Sequence, residues 1–340
     1  MSGVQILTVA SGDADQRLDR WFKQHFPTLG HGRLEKMLRK GHIRVDGKRA
    51  KAAQRLEEGQ AVRVPPIPPA ASEANIRPGE RGREKTAPLP PDPELVETLT
   101  AAILYKDDEV LILNKPAGLA VQGGSKTQSH LDGALDELRF GAPDRPRLVH
   151  RLDRHTSGVL VLARTVAAAR WLTAAFRAKE TTKVYWAVVV GDPQPDRGTI
   201  ELPLAKRSAG SAGEKVVVDR REGKRAVTEY AVIERLGTKA AWVALRPVTG
   251  RTHQLRVHMT EIGTPILGDG KYGGGAAFLD VSGLEERMHL HAREISLTRP
   301  NGTVLTVSAP LPEHMQQAWS FLGFDAPSGD PVARDMGWRP

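Results

Sequence analysis

Nine of the chain's 24 prolines fall between residues 65 and 99, beginning with Pro65-Pro66-Ile67-Pro68-Pro69. Proline fixes φ and has no N–H to donate, so a run this dense fits neither a helix interior nor a central strand. With little apolar content, the stretch reads as an extended, semi-rigid linker. The chain must then build separate cores before and after it. The expected divisions are a small domain over 1–64, the linker over 65–99, a main domain over 100–322 and a loosely ordered tail over 323–340.

In the first region, Leu18, Trp21 and Phe22, then Leu34, Met37 and Leu38, recur at helical spacing within 17–26 and 32–40. Gly41 stops the second helix. Ile43 and Val45 alternate into Asp46-Gly47, a two-residue hairpin turn, and 56–64 supply a further turn and strand. These 64 residues hold 13 Lys and Arg against 7 Asp and Glu, an excess of six within a chain whose net charge is +9. Arg33, Lys36, Arg39, Lys40 and Arg44 line the second helix and its exit. A concentrated basic lobe suits a polyanionic partner; on charge alone a solubilising surface accounts for it equally. Two helices, a glycine and a short basic strand resemble the S4 (αL-type) RNA-binding domain, and the resemblance implies that these five side chains face RNA.

The main region is rich in strands. Residues 103–105, 110–114, 159–163, 184–190, 227–234 and 241–248 are alternating or continuous apolar runs. Helices are few: one over 130–140, begun by Ser129 with Asp132 three residues on; one capped by Thr165, with Ala168, Leu172, Ala175, Phe176 and Lys179 on one side; and one over 251–262, stopped by Gly263 and Pro265. Irregularly placed helices argue against a doubly wound parallel sheet. The expected class is α+β, with a mixed, mostly antiparallel sheet and helices packed on it.

The chain has no cysteine, which removes disulfides, thiolate metal sites and a thiol nucleophile, and suits a reducing compartment. Residues 1–10 lack a basic segment followed by a long apolar run, and runs such as 184–190 are too short to span a bilayer. A cytoplasmic protein with no membrane partner is expected. His253, His258, His289 and His291 do not fall at the HExxH spacing and have no thiolate or paired carboxylates beside them, so no metal is expected. The glycines of 268–275 lack a following Lys-Ser/Thr, so no P-loop is present.

The run Leu148-Val149-His150-Arg151-Leu152-Asp153-Arg154-His155-Thr156-Ser157-Gly158 sets one carboxylate between two guanidinium groups, before a turn that feeds an apolar strand. An ionised carboxylate aimed from a turn is what a nucleophile requires. Arg17-Leu18-Asp19-Arg20 repeats the tetrapeptide without the preceding His or the following Thr-Ser-Gly, and reads as a solvated helix face. The flanks therefore carry the signal. With them the run resembles the signature of the RluA-type pseudouridine synthases. Lys183-x-Tyr185-x-Ala187-x-Val189-x-Gly191, then Gly250-Arg251-Thr252-His253-Gln254-Leu255-Arg256-Val257-His258, Gly268-Asp269-x-x-Tyr272-Gly273 and Leu290-His291-Ala292 resemble that family's further motifs in order, across 100–312. Val121-Gln122-Gly123-Gly124-Ser125 is similar to one branch of the family more than another, although Gln122 stands where that branch often has His.

The resemblance implies an isomerase that detaches a uracil from its ribose, turns it and rejoins it through carbon 5, with no cofactor. It makes Asp153 the nucleophile, Arg256 the cation that keeps the carboxylate charged in a closed pocket, and Tyr185 the ring that stacks on the target uracil and takes part in proton movement. A free Asp, pKa ~3.9, is already ionised at neutral pH; the difficulty is holding the charge against desolvation. His150, Arg151, Thr156, Arg251 and His253 are implied to meet RNA. Arg151 either fills the space left by a flipped-out base or contacts phosphate, and Lys115 is either a phosphate contact or an exposed turn lysine. The attached S4-like module implies large-subunit (23S) ribosomal RNA, or its assembly intermediate, as partner, with a monomer as the default state. The alternatives are a catalytically silent RNA-binding or ribosome-assembly factor and a metal-dependent nuclease.

Overall fold

A computed structural model of the chain describes residues 4–27, 29–67, 92–123, 129–178, 180–208, 214–330 and 336–337. It divides into two compact units, Met1–Thr86 and Ala87–Pro340. The first contains β1 (Gln5–Thr8), α1 (Leu18–His25), α2 (His31–Arg39), β2 (Arg44–Val45), β3 (Lys48–Arg49) and β4 (Ala61–Val64). The strands form an antiparallel sheet in the order β1-β4-β2-β3. Leu18, Trp21, Phe22, Leu34, Leu38, Ile43 and Val62 make its core. Gly41 closes α2 with φ +71°, and Asp46 and Gly47 both take positive φ, as the tight hairpin turn requires. Strand β1 lies outside the sequence expectation. Its Ile6 is 70% exposed while Leu7 packs on the core, so a single apolar residue marks its buried face.

The second unit begins earlier than the proline count suggests. Asp92 caps α3 (Pro93–Ala101) by accepting the Glu94 N–H at 3.1 Å, with Pro93 in the first turn, where a missing N–H does no harm. Leu99 is buried against Leu111 and Leu113, a contribution of about 1.5–3 kcal/mol. The last residues of the expected linker are therefore a helix of the main unit; 68–91 lie outside the described residues. After α3 come β5 (Ile103–Lys106), β6 (Val110–Lys115), α4 (Leu131–Ala134), β7 (Arg147–Leu148), β8 (Ser157–Ala163), α5 (Val166–Ala178), β9 (Thr181–Val190), β10 (Arg197–Glu201), β11 (Leu204–Ser208), β12 (Glu214–Val218), β13 (Val227–Leu236), β14 (Ala240–Pro247), α6 (Gln254–Glu261), β15 (Leu290–Thr298), β16 (Val304–Ser308) and α7 (Glu313–Leu322).

The main sheet runs β10-β13-β14-β9-β15-β8-β6-β5, with β16 on β15 and β7 on β8, while β11 and β12 form a separate hairpin. Every pair in the main sheet is antiparallel except β15 with β8. The architecture is thus α+β with a mixed sheet. At the parallel seam His291 lies opposite Ser157 and Ala292 opposite Gly158. Gly158 has φ +105°, and a Cβ there would run into the Ala292 backbone; the glycine of the Thr-Ser-Gly turn is needed for that approach. Ser157 Oγ and His291 Nδ1, 2.9 Å apart, tie the seam.

Successive strand residues face opposite sides. Trp186 joins Trp242 and Trp319 on the α7 side, and Tyr185 faces the α6 side with Leu245 and Leu255. Three sequence expectations are corrected. The helix over 130–140 shrinks to α4, and its cap is His130, whose Nδ1 accepts the Gly133 N–H, rather than Ser129. The helix over 251–262 starts at Gln254, because His253 takes a left-handed conformation. The first residues read as a loose tail pack instead: Phe324 joins the tryptophan cluster, and Asp330 pairs with Arg293 at 3.2 Å; 331–335 and 338–340 lie outside the described residues.

Candidate active site

The turn before β8, the strand β9 and the segment leading into α6 surround a cavity of about 500 Å³, lined by Asp153 and Tyr185 together with His150, Arg151, Thr156, Lys183, Arg251, His253 and Arg256. Asp153 sits in a turn closed by the Thr156 N–H on its carbonyl at 3.2 Å. Its side chain keeps 20% of its exposure, and its Oδ2 lies 3.9 Å from Arg256 Nη1 and 3.7 Å from His253 Nε2.

Gln254 explains how Arg256 is aimed. The buried amide oxygen accepts from Thr249 Oγ1 and the Arg251 N–H, and its nitrogen donates to the Val227 carbonyl and to Thr228. The nitrogen thus pins the start of α6 to β13, and the oxygen orders the loop that leads into it. Arg256, 8% exposed, donates from Nε and Nη2 to the two oxygens of Asp269, 1% exposed, at 2.7 and 2.6 Å. This is the bidentate fork that fits guanidinium to carboxylate. Burial alone would weaken the guanidinium's hold on its proton, but the Asp269 bonds keep its pKa above the ordinary value. The remaining nitrogen, Nη1, turns to Asp153.

Burial, and then the Asp153 charge, push the Tyr185 phenol well above its ordinary pKa. At neutral pH it presents a neutral aromatic face to the cavity rather than a phenolate base. His150 stacks on Phe176 with ring centroids 4.5 Å apart, and its Nε2 accepts the Val161 N–H at 2.8 Å. Burial, and then Lys183, pull its pKa to about 3.

One expected RNA contact is corrected outright. Lys115 is fully buried, and its three donors meet the carbonyls of Pro116 (2.7 Å), Leu119 (3.0 Å) and Arg154 (3.2 Å). It is neither a phosphate contact nor an exposed turn lysine but a clasp between the loop after β6 and the Asp153 turn. Arg154 Nε donates to Gly118 O, and the Gly118 N–H to Arg154 O, so Arg154 is committed to the same clasp rather than to the carboxylate beside it. His150 is a neutral wall residue, and Thr156, 2% exposed, belongs to the turn itself. Arg151 and Arg251 remain exposed at the cavity, with Arg251 Nε on the Arg225 carbonyl. In the first unit Arg33, Lys36, Arg39, Lys40 and Arg44 are all exposed; Arg44 also donates to the Gly41 and Gly47 carbonyls.

Sequence reasoning missed Asp269 and Tyr272 as members of the site, although both stand in a motif it quoted. A buried permanent cation demands a carboxylate, and the Gly268-Asp269 pair was the available signal. Gly268, φ +80°, fits where a Cβ would strike the Arg287 carbonyl.

The family model for RNA pseudouridylate synthase matches residues 109–261. A ribosomal large subunit pseudouridine synthase C from Vibrio cholerae serotype O1 is 37% identical over 322 residues, covering 93% of this chain and 96% of the relative. The protein of that name from Escherichia coli K12 is 37% identical over 321 residues, covering 92% and 95%. Among solved structures, human RNA pseudouridylate synthase domain containing 4 is 32% identical with a TM-score of 0.58, covering 68% of this chain and 97% of that one. The likeness spans the cavity, the clasp and α6, and by it the chain belongs to the RluA-type family of RNA pseudouridylate synthases.

Proposed function

We propose that this enzyme isomerises specific uridines to pseudouridine in large-subunit ribosomal RNA, with Asp153 as nucleophile. One observation carries the assignment of roles: Asp153 Oδ2 faces both Arg256 and His253 in a cavity that the neutral ring of Tyr185 also lines. The reaction breaks the bond from N1 to the ribose and forms one from carbon 5; the proton on carbon 5 leaves and N1 gains one, so no redox partner is consumed. Asp153 adds to the nucleotide or shields the cationic sugar. Arg256 keeps it ionised as the pocket closes. Tyr185 offers a stacking face, worth about 1–3 kcal/mol per base, on which a detached uracil can rotate in its plane. The target must leave the RNA stack, at a few kcal/mol, and Arg151 at the cavity mouth fills the gap. The ribosomal substrate rests on the names of relatives that match along nearly all of their length.

Residues 1–64 act in this reading as an S4-type module that grips RNA through Arg33, Lys36, Arg39, Lys40 and Arg44, with a monomer working in the cytoplasm on ribosomal RNA or an assembly intermediate. Among the described residues no helix is long and apolar enough to cross a membrane. The catalytically silent alternative has no use for a carboxylate, a guanidinium and an aromatic face in one cavity. Uridine-5-tritiated ribosomal transcript tests the assignment: tritium is released by the enzyme and not by Asp153→Asn, while the variant still binds RNA. Absence of release from any ribosomal fragment would favour the silent factor.

A further inference from the structure

The roles above leave His253 without one. Its backbone, φ 53° and ψ 20°, lies in the left-handed region, a conformation that is strained for a side-chain-bearing residue and persists where the surroundings require it. The turn sends the ring into the cavity. Nε2 comes to 3.7 Å from Asp153 Oδ2, and Nδ1 sits 2.5 Å from the Tyr272 hydroxyl. The Tyr272 oxygen also accepts the Val216 N–H of β12 at 3.3 Å. With that lone pair taken, the hydroxyl proton is free to go to Nδ1, which makes Nδ1 an acceptor and leaves the ring proton on Nε2. Burial first, then Arg256 and Lys271, oppose a second proton on the ring, against the pull of Asp153 and Asp269.

We infer that His253 is a positioning residue for the nucleophile rather than an RNA contact. Held as the Nε2–H tautomer by Tyr272, it donates to Asp153 Oδ2 when the nucleotide fills the pocket. Arg256 approaches the same oxygen, so the two together occupy Oδ2 and present Oδ1 as the attacking atom. A gap of 3.7 Å is longer than a hydrogen bond, and catalytic contacts of this kind tighten when substrate binds. Because the same Tyr272 oxygen takes a backbone N–H from the β11–β12 hairpin, the hairpin helps set the tautomer. The inference rests on the reading of Asp153 as nucleophile.

The test is steady-state tritium release with full-length protein and ribosomal transcript, comparing Asp153→Asn, His253→Asn, His253→Gln and Tyr272→Phe. Asn accepts the left-handed backbone and reaches only as far as Nδ1, so it keeps the fold and loses the donor to Asp153. The Gln amide nitrogen stands at the distance of Nε2 and restores it. His253→Asn is expected to lower kcat by about ten- to hundred-fold, the range for losing a hydrogen bond to a charged group, with KM for RNA within about twofold. His253→Gln recovers at least half of that loss on a logarithmic scale, and Tyr272→Phe falls between His253→Asn and the wild type. Wild-type kcat in His253→Asn, a loss confined to KM, or a Gln variant no better than Asn would each overturn the inference. Activity in Asp153→Asn would instead overturn the nucleophile assignment itself, whatever His253 does.

Discussion

The chain contains the tetrapeptide Arg-Leu-Asp-Arg twice, and the two copies end in opposite states. In both, the leucine is a buried anchor: Leu18 in one unit, Leu152 in the other. The carboxylates differ. Asp19 is bonded within its own tetrapeptide, by Nε and Nη2 of Arg17 at 3.1 and 2.5 Å on the surface of α1. Neither neighbouring arginine bonds Asp153 among the described residues. Arg154 is turned to Gly118, and the cation that faces the carboxylate is Arg256, about a hundred positions later in the sequence. A carboxylate satisfied by its neighbour is spent. One that its neighbours leave unbonded stays available to a ligand.

The sharpest way to break that contrast is to neutralise each carboxylate in turn. Asp153→Asn should reduce tritium release by at least about 10³-fold, in the range seen when a nucleophile is removed, and Asp19→Asn should leave it within twofold; comparable losses would erase the distinction. Next in size is the remote partner. Asp269→Asn strips Arg256 of its fork and leaves a buried charge half-paired, a loss of about 3–5 kcal/mol where such pairs are broken. The denaturation midpoint should fall, and kcat with it, whereas Arg17→Ala, which breaks the exposed local pair, should cost under about 1 kcal/mol.

Lys115, the clasp under the second copy, gives a prediction with a sign in pH. Burial pulls its pKa to about 7, against about 10.4 for an unfolded lysine. Between those values the unfolded chain holds more protons than the folded one, so this group adds stability as pH rises through the window and loses it as pH falls toward 7. Chemical denaturation at pH 7 and 9.5 should show wild type gaining over Lys115→Met at the higher pH; equal differences at both would refute the lowered pKa. The smallest effect belongs to the unit that holds the first copy. Replacing Arg33, Lys36 and Lys40 by Gln should weaken binding of ribosomal transcript and flatten its salt dependence by about 0.7 in logarithmic slope per lost phosphate contact on single strands. An unchanged slope would remove that unit from the RNA grip.

Much of this was readable in the sequence, for identifiable reasons. Leu18, Trp21, Phe22, Leu34 and Leu38 recur at helical spacing because one face of each helix is buried; Asp46-Gly47 marks a turn because both residues must take positive φ. Asp153, Tyr185 and Arg256 were legible as one site through their flanks. Lys115 was misread because a charged side chain carries no local mark of burial, and what buries it comes partly from a distant segment. Asp92-Pro93, by contrast, was a helix-start signal that the density of prolines around it concealed.

The seam where Gly158 meets Ala292 has a consequence for how the enzyme is made. The strand that fixes the end of the Asp153 turn is synthesised well after it, with His291 134 positions beyond the serine it holds. A nascent chain that has emerged only through α6 already carries aspartate, tyrosine and arginine, yet lacks the strand against which their turn is set. The turn that carries Asp153 thus stays without its seam until β15 has been made.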